Sequence, residues 1–553
     1  MRGSRSVLIS LLALAVCLAF LPVAAARATG PKLMRVWWSD AMPENLEPQT
    51  NEYGISDMTR LVYEGLTRFD EHLNLAPGAA ESWEFNADGT VITFHLRDHL
   101  IYSDGTPLTA ERFRYAIGRS CDGRLIGGRA SYAADIVGCA ALYDALVDQP
   151  GTAGEIAVEL WDLLGVHARD EHTLEIQLTH PTPYFPAMAS WVGFLPVRQE
   201  LIETGGAEWW RDPANLIGNG PFVVSGIEMT GPAPQIALAA NERYWGGRPR
   251  LDGVRFMVMT GEEATTAYLQ GDLETTWPML DDLAQLEADP KLSRELVRMP
   301  SPSVDVFHLN WRLEPFSDKR VREAFAYAFD RAAYCREMLR GACTPLLSWM
   351  PPQAPGAIET DAYSFNPEQA RAALAASSYG GAAGLPEIIW YYDQDDAWGL
   401  EQAEWLRDQF QQVLDVEMTL APVPWDDIVA MQETPETWPQ LANTYWWADP
   451  TDPHGWLQFW TCGHESFTEN VGYCNPAYDA LVAQSDREMD PDERIRLAQE
   501  AQRVLVADAP AIFGYTSEQI ALVQPYVTGY TRGAPYQGWP GWATPLTVDI
   551  APH

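Results

Sequence analysis

Lysine is almost missing from this 553-residue chain: Lys32, Lys291 and Lys319 are the only three, so nearly all positive charge is arginine. With the lysines so placed, no Ser-x-x-Lys pair exists, which removes the acyl-enzyme chemistry built on it. Gly-x-Ser-x-Gly, His-Glu-x-x-His and a phosphate loop ending in Gly-Lys-Ser/Thr are missing too. Basic charge is scarce altogether, 37 Lys and Arg against 76 Asp and Glu, for a formal charge of −39. A phosphate backbone needs a concentrated basic face, so nucleic acid is excluded as a partner, and an anionic membrane surface is disfavoured for the same reason. Beyond the first 28 residues, no apolar run approaches the roughly 20 residues needed to cross a bilayer.

Arg2 and Arg5 precede an uncharged apolar run from Val7 to Val23, followed by small residues to Ala28. This is the pattern of a secretory signal peptide, with an Ala-x-Ala cleavage site near Ala26 or Ala28. Cys17 lies inside that run, in surroundings unlike a lipoprotein site. The expectation is an exported, periplasmic chain. Six cysteines remain in three sequence-local pairs: Cys121 with Cys139, Cys335 with Cys343, and Cys462 with Cys474. In an oxidising compartment three short disulfides are the natural reading, although spacing alone does not fix the connectivity. A zinc site at Cys462, His464 and Cys474 would lack a clear fourth ligand. Asp393, Asp395, Asp396 and Glu404 are spaced like a calcium loop, but Trp398 stands where the sharp turn requires Gly. No metal and no cofactor are expected.

So long a chain cannot form one core and predicts two to four domains. Alternating strands are expected at 35–38, 91–96, 173–178 and 254–259. Ser317 is a candidate N-cap for a helix over 318–329, with Arg322 off its apolar face. Asn366 before Pro367 opens another helix, and Asp490 a third, with Glu493 placed for a capping box. Strands and helices are mixed throughout, without repeats or low-complexity linkers, which predicts α/β layers in closely apposed domains.

The excess is aromatic: 22 Trp and 22 Tyr. Several fall where strands meet loops, as at Trp37-Trp38, Trp390-Tyr391-Tyr392, Trp425 and Trp446-Trp447. Rings of this kind give walls that accept varied ligand bodies, although most serve as core. In Tyr445-Trp446-Trp447-Ala448-Asp449-Pro450, a short strand starting near Gln440 runs into a carboxylate. Adjacent strand residues face opposite ways, so at most one of the two indoles lines any one surface. An apolar wall beside Asp449 suits a ligand with a cationic amine.

Five strings, taken in order, resemble one family: 81–113 (ESWEFNADGTVITFHLRDHLIYSDGTPLTAERF), 217–222 (IGNGPF), 241–256 (NERYWGGRPRLDGVRF), 316–331 (FSDKRVREAFAYAFDR), and the tail from Tyr473 through DPDERIRLAQEAQRVLVADAP. That family is the extracellular solute-binding proteins of peptide and nickel ABC importers, and the likeness is nearest to its oligopeptide-binding branch. The resemblance implies an α/β type II periplasmic-binding fold with two lobes, hinge crossovers near 304–310 and 514–516, and an extra inserted domain (cluster C). It implies a signal peptide at 1–28, a first lobe from 29–70, 190–303 and 515–553, an insert at 71–189, and a second lobe at 304–514. Hinge closure over an oligopeptide and delivery to permease subunits in the inner membrane would follow, by a monomer that breaks no bond.

Trp446, Ala448 and Asp449 match the branch's Trp-x-Ala-Asp strand exit, whose Asp pairs with the ligand's α-ammonium. Trp425 matches a pocket-wall Trp. Where some relatives carry a basic partner for the peptide carboxylate, this chain has Asn443, and Arg340 and Arg312 are the other candidates for that role. The same fold could hold an oligosaccharide, an opine or a metal chelate. An exported hydrolase and a receptor-docking sensor are the readings from other classes.

Overall fold

The computed structural model describes residues 30–552, apart from 44, 51–57, 71, 73, 126–132, 150, 154–160, 232, 448–451, 465–466 and 531–545. The signal-peptide segment therefore lies outside the described residues. So does part of the helix expected over 55–65, of which 58–62 is helical.

The chain opens with β1 (Leu33–Ser39), whose alternating residues Met34 and Val36 enter the core. Four strands follow in a separate sheet: β2 (Ala80–Phe85), β3 (Val91–Leu96), β4 (Val166–Ala168) and β5 (Thr173–Gln177), ordered β2-β3-β5-β4. The alternation in Val91–Leu96 puts Ile92, Phe94 and Leu96 inside, where the helix α1 (Ala110–Ser120) adds Phe113, Ala116 and Ile117. Thr109 precedes this helix as expected, but its hydroxyl makes no cap bond.

The chain then returns to the first sheet through β6 (Phe222–Glu228), β7 (Gln235–Ala240) and β8 (Gly253–Val258), which pairs in parallel with β1, Val36 opposite Phe256. β9 (Thr275–Thr276) and β10 (Leu296–Pro300) lead to β11 (Ser303–Leu309). The second lobe adds α2 (Lys319–Ala328), α3 (Arg331–Glu337), β12 (Cys343–Pro345), α4 (Pro367–Ala375), β13 (Ile388–Asp393), α5 (Ala397–Leu414), β14 (Met418–Val423), α6 (Trp425–Met431) and β15 (Leu441–Trp447). After α7 (Pro453–Leu457) and α8 (Pro491–Asp508) comes the long strand β16 (Ala511–Val523).

β16 belongs to both lobes. Its first half pairs with β11 and β12, and its second half with β10 and β9. The ten-stranded sheet therefore runs β15-β11-β16-β9-β1-β8-β7-β6 with β10 and β12 also on β16. The lobes meet where Ser301 N–H donates to Ser517 O (3.0 Å) and Thr516 Oγ1 to Ser301 O (2.7 Å). This two-strand crossing is the hinge of a two-lobed fold.

The recurring sequence strings are mostly structural. Buried Glu64 accepts from Tyr244 and from Trp245 Nε1 (2.6 Å), with Arg97 of the insert over the Trp245 ring at 3.9 Å. Buried Glu47 takes two bonds from Arg119 of α1 and one from Trp209. These two carboxylates hold the insert on the first lobe, and each would be costly to bury without its donors.

Two local expectations are corrected. The cap of α2 is Asp318, not Ser317, because its carboxylate accepts from Arg320 N–H. Arg322, off the face of Val321, Phe325 and Ala328, is itself buried: it lies 3.5 Å over the Trp311 ring and donates to the carbonyls of Phe316 and Ala509. At α8, Asp490 caps as expected, but Glu493 pairs with Arg496 and does not complete a capping box. Disulfides join Cys121 to Cys139, Cys335 to Cys343 and Cys462 to Cys474. The calcium-like carboxylates have another use, since Asp396 caps α5 through Trp398 and Gly399 N–H.

Candidate functional site

β15 is the outer strand of the second lobe's half-sheet. It pairs with β11 from Leu441 opposite Leu309 to Trp447 opposite Ser303; among the described residues no strand pairs along its other side, where β13 approaches only its start through Gln440, which bonds Ile389 N–H and Glu387 O. An open edge presents backbone N–H and C=O groups at extended spacing, which an extended chain can pair with regardless of its side chains.

Strand alternation separates the two indoles. Trp446 turns to the side of Val304 and Val306, its ring 3.8 Å from that of Phe459 and 5.9 Å from Phe467, with Nε1 donating to Gly455 O at 3.3 Å. Trp447 shares the opposite side with Tyr445 and Asn443. It is half-buried, and its Nε1 is enclosed without an acceptor among the described residues. Tyr445 is 68% exposed. Asn443 donates from Nδ2 to Val306 O at 3.2 Å, so its amide is engaged by the sheet.

Asp449 and Ala448 lie outside the described residues. Asp452, just beyond, caps α7 and is held by both terminal nitrogens of Arg494 at 2.5 and 2.8 Å. Trp425 opens α6 beside β13 and is 59% exposed. The two arginines lie elsewhere. Arg340 sits in a left-handed turn between α3 and β12, paired with Asp281 of the first lobe at 3.4 Å and with Glu401 at 3.7 Å. Arg312 follows the far end of β11, packed along Gly472; Ser303 and Leu309 are about 20 Å apart by strand rise.

One residue of this face escaped the sequence reading. Asp305 lies opposite Tyr445 on one side and Tyr515 on the other, and it is the one residue of β11 that water reaches. Its carboxylate accepts from Ser517 Oγ at 3.4 Å. Burial pushes its pKa up to about 7, against the pull of the Tyr515 and Ser517 hydroxyls. The signal was present in Val304-Asp305-Val306-Phe307, a single charge inside an apolar strand.

Among the described residues no group of three or more His, Cys, Asp or Glu could hold a metal ion, and no helix is long and apolar enough to cross a membrane. Two lobes on a shared crossing strand, with an open strand edge flanked by aromatic rings, define a solute-binding protein. The chain belongs to the bacterial extracellular solute-binding proteins, family 5, whose Middle region matches residues 74–467. It is 28% identical over 506 residues to the periplasmic oligopeptide-binding protein OppA of Salmonella typhimurium, covering 89% of this chain and 88% of the relative. It is also 28% identical over 500 residues to the probable deoxycholate-binding periplasmic protein YgiS of Escherichia coli, covering 88% and 89%. The unliganded open form of the periplasmic murein tripeptide-binding protein MppA superposes with a TM-score of 0.78 at 25% identity, over 95% of this chain and 98% of that one.

Proposed function

We propose that this protein captures oligopeptides in the periplasm, closes its lobes on them, and delivers them to the permease of an ABC importer. The carrying observation is the open edge of β15, with Tyr445 and Trp447 on one side and the hinge at its end. A peptide laid along that edge gains backbone hydrogen bonds whatever its sequence. Asp449 is the partner of the α-ammonium, worth roughly 1.5–3 kcal/mol as a charge-assisted bond. Trp447 is the wall beside it and Trp425 a second, while Trp446 supports the strand from behind.

Asn443 faces the ligand, but with Arg340 and Arg312 placed as they are, the peptide carboxylate is left to backbone donors and water. In this reading residues 1–28 are a cleaved leader. The first lobe comprises 29–70, 190–303 and 515–553, the insert 71–189, and the second lobe 304–514. The protein works as a monomer and catalyses no reaction.

Native mass spectrometry of the exported protein, followed by denaturation, tests the reading. A heterogeneous set of short co-purified peptides is expected. A single defined sugar, a bile acid or a metal complex would overturn it.

A further inference from the structure

Asp305 is crowded by protein yet is the one residue of β11 that is not fully buried, so its carboxylate lies at the border of the core. Around it are hydroxyls and rings: Tyr515, Ser517, Tyr445 across the strand, and Tyr334, whose ring stacks on that of Tyr515 at 5.4 Å. The Tyr334 hydroxyl accepts from Gln402 Nε2 at 2.7 Å. Among the described residues no cation lies within ion-pair distance of Asp305. The arginines nearest in sequence to its surroundings are committed, Arg298 to Glu287 and Glu518, and Arg340 to Asp281 and Glu401.

A carboxylate left without a counter-charge in a crowded place is unfavourable unless something else supplies one. The site lacks the several oxygen ligands a divalent cation needs. What it offers is one negative charge between phenol rings, which suits an ammonium or guanidinium by both ion pairing and ring contact. The same face carries Trp447, opposite Ser303 and two residues along the strand.

We propose that Asp305 is the counter-charge for a basic side chain of the bound solute, a lysine or arginine, and so biases this protein toward basic peptides. The inference rests on the peptide reading and adds a second carboxylate to the one proposed for the α-ammonium. The groups facing Asp305 are Tyr515, Ser517, Tyr334 and Tyr445; burial pushes the Tyr515 and Tyr334 phenols up, so the proton of Asp305 is the one that responds. Partly protonated when no solute is bound, Asp305 ionises when a cation arrives, and binding then releases a proton.

Isothermal titration of the full mature chain with tri-alanine, and with tripeptides carrying one lysine at each position in turn, tests this. Each titration is run in phosphate and in Tris at pH 7. At least one lysine peptide is expected to bind about tenfold or more tightly than tri-alanine, with heats that differ between the buffers. Asp305→Asn should remove both the preference and the buffer difference while leaving tri-alanine affinity unchanged, and Asp305→Glu should retain part of the preference. Tri-alanine binding as tightly as every lysine peptide, or a preference that survives in Asp305→Asn, would overturn the assignment and leave the peptide reading standing. No binding of any peptide, tri-alanine included, would overturn both.

Discussion

The ring of Tyr184, in the insert, lies flat on the ring of His454, in the second lobe, with centroids 3.9 Å apart and planes within 5°. Tyr184 also donates to Asp135 at 2.6 Å, His454 pairs with Asp486 at 3.0 Å, and Arg494 stands 5.7 Å from the Tyr184 ring. Next to this contact is a recess of about 490 Å³ between the insert and α8, lined by Trp83, Phe85, Tyr184, Met489 and Arg494 among others. The insert therefore touches both lobes, and what holds it to the second is ionisable.

That contact predicts a pH dependence. Burial alone would lower the pKa of His454, but Asp486, with Asp135 and Asp452, more than offsets it and the net shift is upward from 6.5. A histidine whose folded pKa is raised stabilises fully below its unfolded value and loses that contribution as pH rises through the folded value. Wild type should thus lose about 1 kcal/mol relative to His454→Gln between pH 6 and pH 9. Urea unfolding of both proteins at the two pH values measures it. Parallel pH profiles would show that His454 stays neutral.

Asp305 gives a second pH experiment, at lower pH and with the same sign. Its folded pKa of about 7 lies above the ordinary 3.8, so the folded state holds the proton more tightly than the unfolded one. Stability falls as pH climbs from about 4 to about 7. Asp305→Asn, which keeps the shape and never ionises, should be more stable than wild type at pH 8 by about 2 kcal/mol, less than the full shift implies because water reaches the carboxylate. At pH 4 the two should coincide within error. Unfolding curves at these two pH values decide it.

Much of the architecture could be read from patterns that depend only on neighbours along the chain. The alternation in 91–96 and the Asn366-Pro367 start produced the strand and the capped helix that periodicity and capping dictate. The split between Trp446 and Trp447 followed from strand geometry before any partner was known. What could not be read depends on distant partners. Arg322 could be placed only off the apolar face of its helix, because the carbonyl of Ala509 that it satisfies is far along the chain. Ser317 and Asp318 are both good caps, and the choice between them rests on Ser378, whose N–H and hydroxyl also bond Asp318. The pairs of Arg340 with Asp281 and Glu401 likewise join residues far apart along the chain.

The buried Arg322 makes a further prediction. Its guanidinium reaches four carbonyls and stacks on Trp311, and burial lowers its pKa to about 10 without neutralising it near pH 7. Lysine would keep the charge but not the fork or the stack. Arg322→Lys should destabilise by about 2–3 kcal/mol, read as a lower urea midpoint at unchanged slope. A loss under half a kilocalorie would mean that water replaces the guanidinium at those carbonyls.

The two neighbouring indoles give the sharpest separation of structure from binding. Trp446 is packed against Phe459 and Phe467, so Trp446→Ala opens a cavity in the second lobe and should cost about 3–4 kcal/mol of stability. Trp447 faces the other way, half-buried with an unsatisfied Nε1, so truncating it removes less packing and also relieves an unmet donor. Trp447→Ala should therefore unfold within about 1 kcal/mol of wild type while binding peptides at least about tenfold more weakly. Thermal unfolding paired with titration of one co-purified peptide separates the two effects. If Trp446→Ala lost affinity while keeping its stability, and Trp447→Ala did the reverse, the strand would present its other side to the ligand. Asp305, which shares the side of Trp447, would then face away from the solute, so this pair of variants also tests that carboxylate's role from a direction independent of its charge.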